Sequence, residues 1–230
     1  MIRIDELFLD KSTPELSYRL ETYRSGGSVS ATASQQLRCY FISRCTFPTP
    51  PPESIKDAQG RTDIRKVSDP VFLEKVSQNT LAIYQAIMWT VETRFGPVIE
   101  VFDVEGSREK RVVIGFRMGS TTSLFSALSD LYHFYALFAS RKYVEQFANG
   151  ITIISLYLNP LPAGMAPKGT PPIEHAIMQV VKEASLLYCL PENPFFRRGG
   201  SSEPGHAVQE ATYACQYLSR YLLRSLPPLL

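Results

Sequence analysis

Val98-Ile-Glu-Val-Phe-Asp-Val-Glu105, then Gly106-Ser107, then Arg111-Val-Val-Ile-Gly-Phe-Arg117, a helical run from Leu124, and Ile151-Thr-Ile-Ile-Ser-Leu-Tyr-Leu158 follow one another between Gly96 and Pro160, and their order decides the fold. The first run is β-branched and aromatic and predicts a strand. Gly106 with Ser107 reverses the chain, so the run to Arg117 returns as the partner in a hairpin. Ser120 to Ser123 offer N-cap oxygens ahead of Leu124, Leu128, Leu131, Tyr135 and Phe138, which share one helical face; read onward, this helix continues through Arg141 to Phe147. Ile151 to Leu158 is too β-branched for a helix and stops at Asn159-Pro160, which predicts a buried strand.

Upstream, Gln36 to Cys45 alternates with period two, placing Leu37, Cys39 and Phe41 on a core face and Arg38, Tyr40, Ile42 and Arg44 on an open one. Before it, Pro14 to Tyr23 reads as a short helix and Ser25 to Ser34 as a connector of small residues. Pro48, Pro50, Pro51 and Pro52 make Phe47 to Gly60 an exposed loop, since proline removes a donor and fixes φ. Asp69-Pro70 is an N-cap with proline at the first helical position; Leu73, Val76, Tyr84, Ile87, Val91 and Phe95 continue at helical spacing until Gly96-Pro97. The sum is βαββαβ, an α+β, ferredoxin-like arrangement of one four-stranded antiparallel sheet with two helices across one face. Right-handed crossovers place the strand at Gln36 and that at Arg111 in the centre, with the strand from Val98 at an edge. The expected organisation is an arm over residues 1–35, the sheet domain over 36–160 and a helical extension over 161–230. In that extension Ile173, Ile177, Val180, Ala184 and Leu187 mark one amphipathic helix and His206 to Leu226 another.

With 230 residues, 44% of them hydrophobic, the chain can bury a substantial core. A net charge of +2, from 24 basic and 22 acidic residues, leaves no run that would mark a nucleic-acid arm or a polybasic membrane patch. No window reaches the ~18 apolar residues of a membrane helix, and Met1-Ile-Arg-Ile-Asp-Glu is too acidic for a secretory or mitochondrial leader. Cys39, Cys45, Cys189 and Cys215 lack zinc-ligand spacing and read as reduced thiols. The chain is therefore placed inside the cell, in the cytoplasm or the mitochondrion.

His133, His175 and His206 have no second histidine or cysteine at i+3 or i+4, so no metal ligand set is assigned. Cys189 has no histidine close in sequence, and no Gly-x-Ser-x-Gly elbow or Gly-x-Gly-x-x-Gly turn occurs. Lys168, flanked by Gly169, reads as a solvated loop lysine. Arg197-Arg198 beside Phe195-Phe196 reads as an anchored wet loop. Catalytic, cofactor-binding and metal residues are accordingly none. RNA binding is disfavoured because the strand Arg111 to Arg117 presents no stacking ring on its open face. The open sheet face with Arg38, Tyr40, Arg44 and Arg117 remains as the candidate effector or partner surface.

Four runs carry a resemblance: Gly96-Pro-Val-Ile-Glu-Val-Phe-Asp-Val-Glu-Gly-Ser-Arg-Glu-Lys-Arg111, Phe125-Ser-Ala-Leu-Ser-Asp-Leu-Tyr-His-Phe-Tyr135, Arg141-Lys-Tyr-Val-Glu-Gln-Phe147 and Ala184-Ser-Leu-Leu-Tyr-Cys-Leu-Pro-Glu-Asn-Pro-Phe-Phe196. They closely resemble the large, fungal-type NAD-specific glutamate dehydrogenases. The resemblance spans Ser17 to Tyr217 and points to the region before the catalytic domains, where the family carries ACT-like βαββαβ modules. It implies a parent enzyme that deaminates glutamate oxidatively to 2-oxoglutarate and ammonium with NAD, using a lysine in a glycine-rich loop and a separate dinucleotide-binding domain. Neither motif occurs here, so NAD belongs to the parent and no cofactor to this chain. Implied partners are the parent's remaining domains, further copies in a homo-oligomer and a small-molecule effector, with no nucleic acid and no membrane. The chain itself reads as a truncated amino-terminal regulatory or assembly segment. The alternatives are a free-standing ACT-like amino-acid sensor and an RNA-binding module.

Overall fold

The computed structural model describes residues 4–24, 38–49, 55–57, 59–94, 96–162 and 164–189. A π-helical turn at Asp5–Leu9 is followed by β1 (Tyr18–Arg24), β2 (Arg38–Arg44), α1 (Ile64–Val67), α2 (Pro70–Lys75), α3 (Gln78–Thr93), β3 (Val98–Asp103) and β4 (Lys110–Arg117). Then come α4 (Leu124–Phe134), β5 (Leu137–Gln146), β6 (Ile151–Pro160) and α5 (Ile173–Cys189). The chain divides into a compact unit, Met1–Tyr188, and a second, Cys189–Leu230. The helix expected over His206 to Leu226 lies outside the described residues, as do Pro50 to Pro52, Ser25 to Ser34, Arg197-Arg198 and Cys215.

The α+β class holds: one antiparallel six-stranded sheet runs in the order β2-β1-β5-β6-β4-β3. The β3–β4 hairpin forms as expected, with Val98 opposite Gly115 and Gly106 in the left-handed conformation (φ 71°) that the reversal requires. The four-stranded ferredoxin-like order does not. β2 lies at one edge and β4 is the fifth strand, so the two strands expected side by side are separated by β1, β5 and β6. β3 does form an edge.

Nor is the sheet covered on one face only. Val112, Ile114, Val144, Ile154 and Leu156 pack with Leu128 of α4 and Ile177 and Val180 of α5. Val113, Ile151 and Ile153 point the other way into a second core with Ile64, Phe72, Tyr84, Ile87 and Val91 of α1–α3. The result is three layers, helices–sheet–helices. This explains why β4 and β6 read as continuous apolar runs rather than alternating ones: both of their faces are buried.

Two segments expected as helix are strands. Tyr18–Arg24, which overlaps the expected Pro14 to Tyr23 helix, pairs with β2 and β5. Of the segment from Arg141 to Phe147, expected as the continuation of the Leu124 helix, Arg141 to Gln146 belong to β5. α4 stops at Phe134 because Ala136 turns left-handed (φ 55°), and Leu137 enters the sheet opposite Pro160. The expected Asp69-capped helix starts as read, with the Asp69 carboxylate accepting from Val71 N at 2.9 Å. It breaks at Val76, where the Ser77 hydroxyl accepts from Thr80 N and starts α3 afresh. The break lets Phe72 stack on Tyr84, with ring centroids 5.9 Å apart.

Candidate functional site

β-pairing sorts the four residues of the expected open surface. Arg38, Tyr40 and Arg44 lie opposite Arg24, Thr22 and Tyr18 in β1, on the α4 side of the sheet with Leu20 and Ile42. The face read as core therefore carries Phe41, 60% exposed, while Ile42 packs inward. Arg117 sits on the opposite face, where its Nη2 donates to the carbonyls of Val91 (3.2 Å) and Glu92 (2.9 Å) at the C-terminal end of α3. It satisfies helix carbonyls and faces the helix dipole's negative end, and it is not part of a common surface with the other three. Arg44, at the far end of β2 from Arg38, reaches the Glu15 carbonyl at 3.4 Å. Only Arg38 and Tyr40 stay together.

What lies beside them is a buried lysine. Lys142 of β5 pairs with Thr22 of β1 and is 2% exposed. Its Nζ donates to Ser129 Oγ of α4 at 2.7 Å and sits 4.8 Å and 5.2 Å above the rings of Phe125 and Tyr132. Among the described residues no carboxylate stands within ion-pair distance of it. Burial, and secondarily the Arg38 guanidinium, push the amine down to about 7, with Asp5 and Asp130 acting the other way. The hydroxyls of Thr22 and Tyr132, 2% and 0% exposed, are buried with no partner at hydrogen-bonding geometry among the described residues, although Ser129 and Arg38 stand near enough to the Tyr132 oxygen to favour its ionised form against burial. The Arg38 charge also acts on Tyr132 and on His133, whose imidazole burial and the Lys142 and Arg38 charges hold low. The cluster is thus rich in donors and short of acceptors. Neither Lys142 nor its hydroxyl neighbours were assigned from sequence, because Arg141 to Phe147 read as helix. A lysine at an inward position of a strand would have been the signal.

The opposite face carries an aromatic row. Tyr157, Tyr143, Tyr23 and Phe41 meet in turn at centroid distances of 5.9, 6.1 and 6.1 Å, edge to face. At its inner end Arg111 lies between the rings of Tyr84 and Tyr157 and donates to Ser155 Oγ at 2.9 Å. Arg141 covers Tyr157 at 4.0 Å and pairs with Glu109 at 2.6 Å. Burial opposes ionisation of Glu109, but hydrogen bonds from Ser140, Asn159 and Arg141 outweigh it and hold the carboxyl below its usual range. Among the described residues no three His, Cys, Asp or Glu side chains are grouped to hold a metal ion, and no helix is long and apolar enough to cross a membrane.

Residues 2–201 match the family described as NAD-specific glutamate dehydrogenase, second domain. The chain belongs to this family. It is 45% identical over 214 residues to an NAD-specific glutamate dehydrogenase of Neurospora crassa, covering 92% of this chain and 20% of the relative. A probable NAD-specific glutamate dehydrogenase of Schizosaccharomyces pombe is 41% identical, with 92% of this chain and 19% of the relative covered. Glutamate dehydrogenase 2 of Dictyostelium discoideum is 38% identical, with 90% and 20% covered. The chain thus spans about a fifth of the length of these relatives. No solved structure matches it.

The chain buries a further ionisable group, Glu145, on the β5 face opposite Lys142. Burial raises its carboxyl well above the ordinary 4.5, Glu21 and Asp69 push the same way, and Arg19 and Lys75 push back. The same surroundings, burial foremost, push the Cys45 thiol up to about 12. Since the folded state keeps a proton on Glu145 that the unfolded chain releases above pH 4.5, folding stability falls as pH rises from there toward the folded value. Glu145→Gln removes that loss. Its stability relative to wild type, read from urea unfolding at pH 4 and pH 7, is expected to be higher at pH 7; an advantage independent of pH would contradict a protonated Glu145.

Proposed function

We propose that the chain is a non-catalytic segment of an NAD-specific glutamate dehydrogenase, serving domain packing, subunit assembly and effector response. The parent reaction is oxidative deamination of L-glutamate to 2-oxoglutarate and ammonium with NAD. The observation that carries this reading is the combination of family membership with a 230-residue sequence holding neither a dinucleotide-binding glycine fingerprint nor a lysine in a glycine-rich loop of the catalytic kind. Four fifths of each relative lies outside the matched region, which leaves room for both motifs there.

The β1–β2 edge supports the packing role. Phe41 and Tyr40 are 60% and 43% exposed on opposite faces of the edge strand β2, whose outer backbone groups have no described partner, and Tyr23 of the neighbouring β1 is 38% exposed beside Phe41. The remaining domains of the parent are the occupant of this edge. The aromatic rings already use each other's faces edge to edge, which suits packing against protein better than stacking of bases. Cys39 and Cys45 are free thiols, in keeping with a reducing compartment, the cytoplasm or the mitochondrion. The test is the purified chain with glutamate and NAD: no NADH is expected to accumulate, and steady production would overturn the assignment.

A further inference from the structure

We propose that the Lys142 cluster, at the Arg38 end of β2, is a binding site for the carboxylate of a small molecule, held by Lys142, Arg38 and the hydroxyls of Thr22 and Tyr132. This deepens the effector-response part of the function above, and its failure would leave the packing role standing.

Among the described residues, donors in the cluster outnumber acceptors. An ammonium has three N–H donors, and Ser129 Oγ takes one. The two rings below Nζ stabilise its charge but accept no conventional hydrogen bond. Thr22 and Tyr132 each add an O–H with no acceptor among the described residues. Among the described residues the charges that act on the cluster are Arg38 and His133, which are basic, Asp130, which is acidic but forms no ion pair with Lys142, and Asp5, which is engaged by the backbone N–H groups of Phe125 and Ser126. The connection between β1 and β2, residues 25–37, contains no Asp or Glu. An arriving carboxylate would supply the missing acceptor atoms and the missing negative charge together. A ligand would enter from the sheet edge, where Tyr40 is exposed and Arg38 half-buried. Burial, with the Arg38 charge second, holds the amine close to neutral in the free protein, and a bound carboxylate would return the proton to it.

The test uses sodium acetate against sodium chloride at matched ionic strength, with thermal unfolding of the whole chain at pH 7.5 as the readout. Wild type is expected to show a saturable, acetate-specific rise in Tm, about 5 °C or more at ~100-fold excess over Kd. Tyr132→Phe and Thr22→Val, which remove an unpaired hydroxyl with little change of shape, are expected to keep or raise the Tm in chloride and to lose most of the acetate response. Lys142→Met is expected to abolish it. No acetate-specific rise in wild type, an equal rise in the three variants, or a larger rise with phosphate than with acetate would each overturn the proposal.

Discussion

Gly115→Val is expected to destabilise the fold by about 3 kcal/mol or more, a larger loss than most single substitutions cause. Gly115 lies in β4 beneath α3, and a Cβ added there would meet Ile87 Cγ2 at 2.4 Å and Val91 Cγ2 at 3.0 Å. Those two residues stand one turn apart on α3, 2% and 1% exposed, so neither can swing out of the way. The backbone at Gly115 is not left-handed, so conformation alone would permit a side chain. Replacing a strand glycine by alanine ordinarily gains about 0.4–1 kcal/mol through the unfolded state. Here overpacking, typically about 1–3 kcal/mol, reverses the sign even for Gly115→Ala, and the branched valine adds to it. Urea unfolding should show a lower midpoint with an unchanged slope. Pairing Gly115→Ala with Ile87→Ala should cost less than the sum of the two single changes, because the deleted atoms include the one struck. Strict additivity would mean that α3 does not approach β4 as closely as described.

Asp5→Ala is expected to cost about 3 kcal/mol, for a residue near the start of the chain whose loss would ordinarily pass unnoticed. Its carboxylate, 1% exposed, accepts from Phe125 N at 3.1 Å and Ser126 N at 3.0 Å, and also from the Ser126 hydroxyl. These are the free donors of the first turn of α4, and the negative charge faces the positive end of the helix dipole. The serine read as the N-cap cannot do this. Ser123 is left-handed (φ 54°) with no side-chain capping bond, and its own N–H is taken by the Asp10 carboxylate at 3.0 Å. Asp5→Asn keeps an acceptor and loses the charge, so roughly half the cost is expected. Hydrogen exchange across residues 124–134 should quicken in Asp5→Ala more than in Asp5→Asn; equal protection in the two would show that the cap is not what holds α4.

These two sites mark where local reading stops. The spacing of Ser120 to Ser123 before Leu124 identified a helix start correctly, but its cap comes from a residue 120 positions away. Gly115 is one residue of the run Arg111 to Arg117 as far as the strand pattern goes, and only the approach of α3 gives a glycine there a reason.

The chain's own order of residues determined whatever depends on neighbours: the Val98–Arg117 hairpin, the strand from Ile151, the helix from Ile173, the Asp69-Pro70 start and the α+β class, together with the family. Tertiary structure decided the remainder, because β1 and β5 are strands by pairing and not by pattern. β5 is the third strand of the sheet and turns Lys142, Glu145 and Gln146 inward, so the period-two apolar signal that would have revealed it is missing. That same inversion creates the candidate site. Burying a lysine depends on Thr22, Phe125, Ser129 and Tyr132 arriving from two other elements, and no arrangement of residues along β5 alone records which atoms will surround the amine.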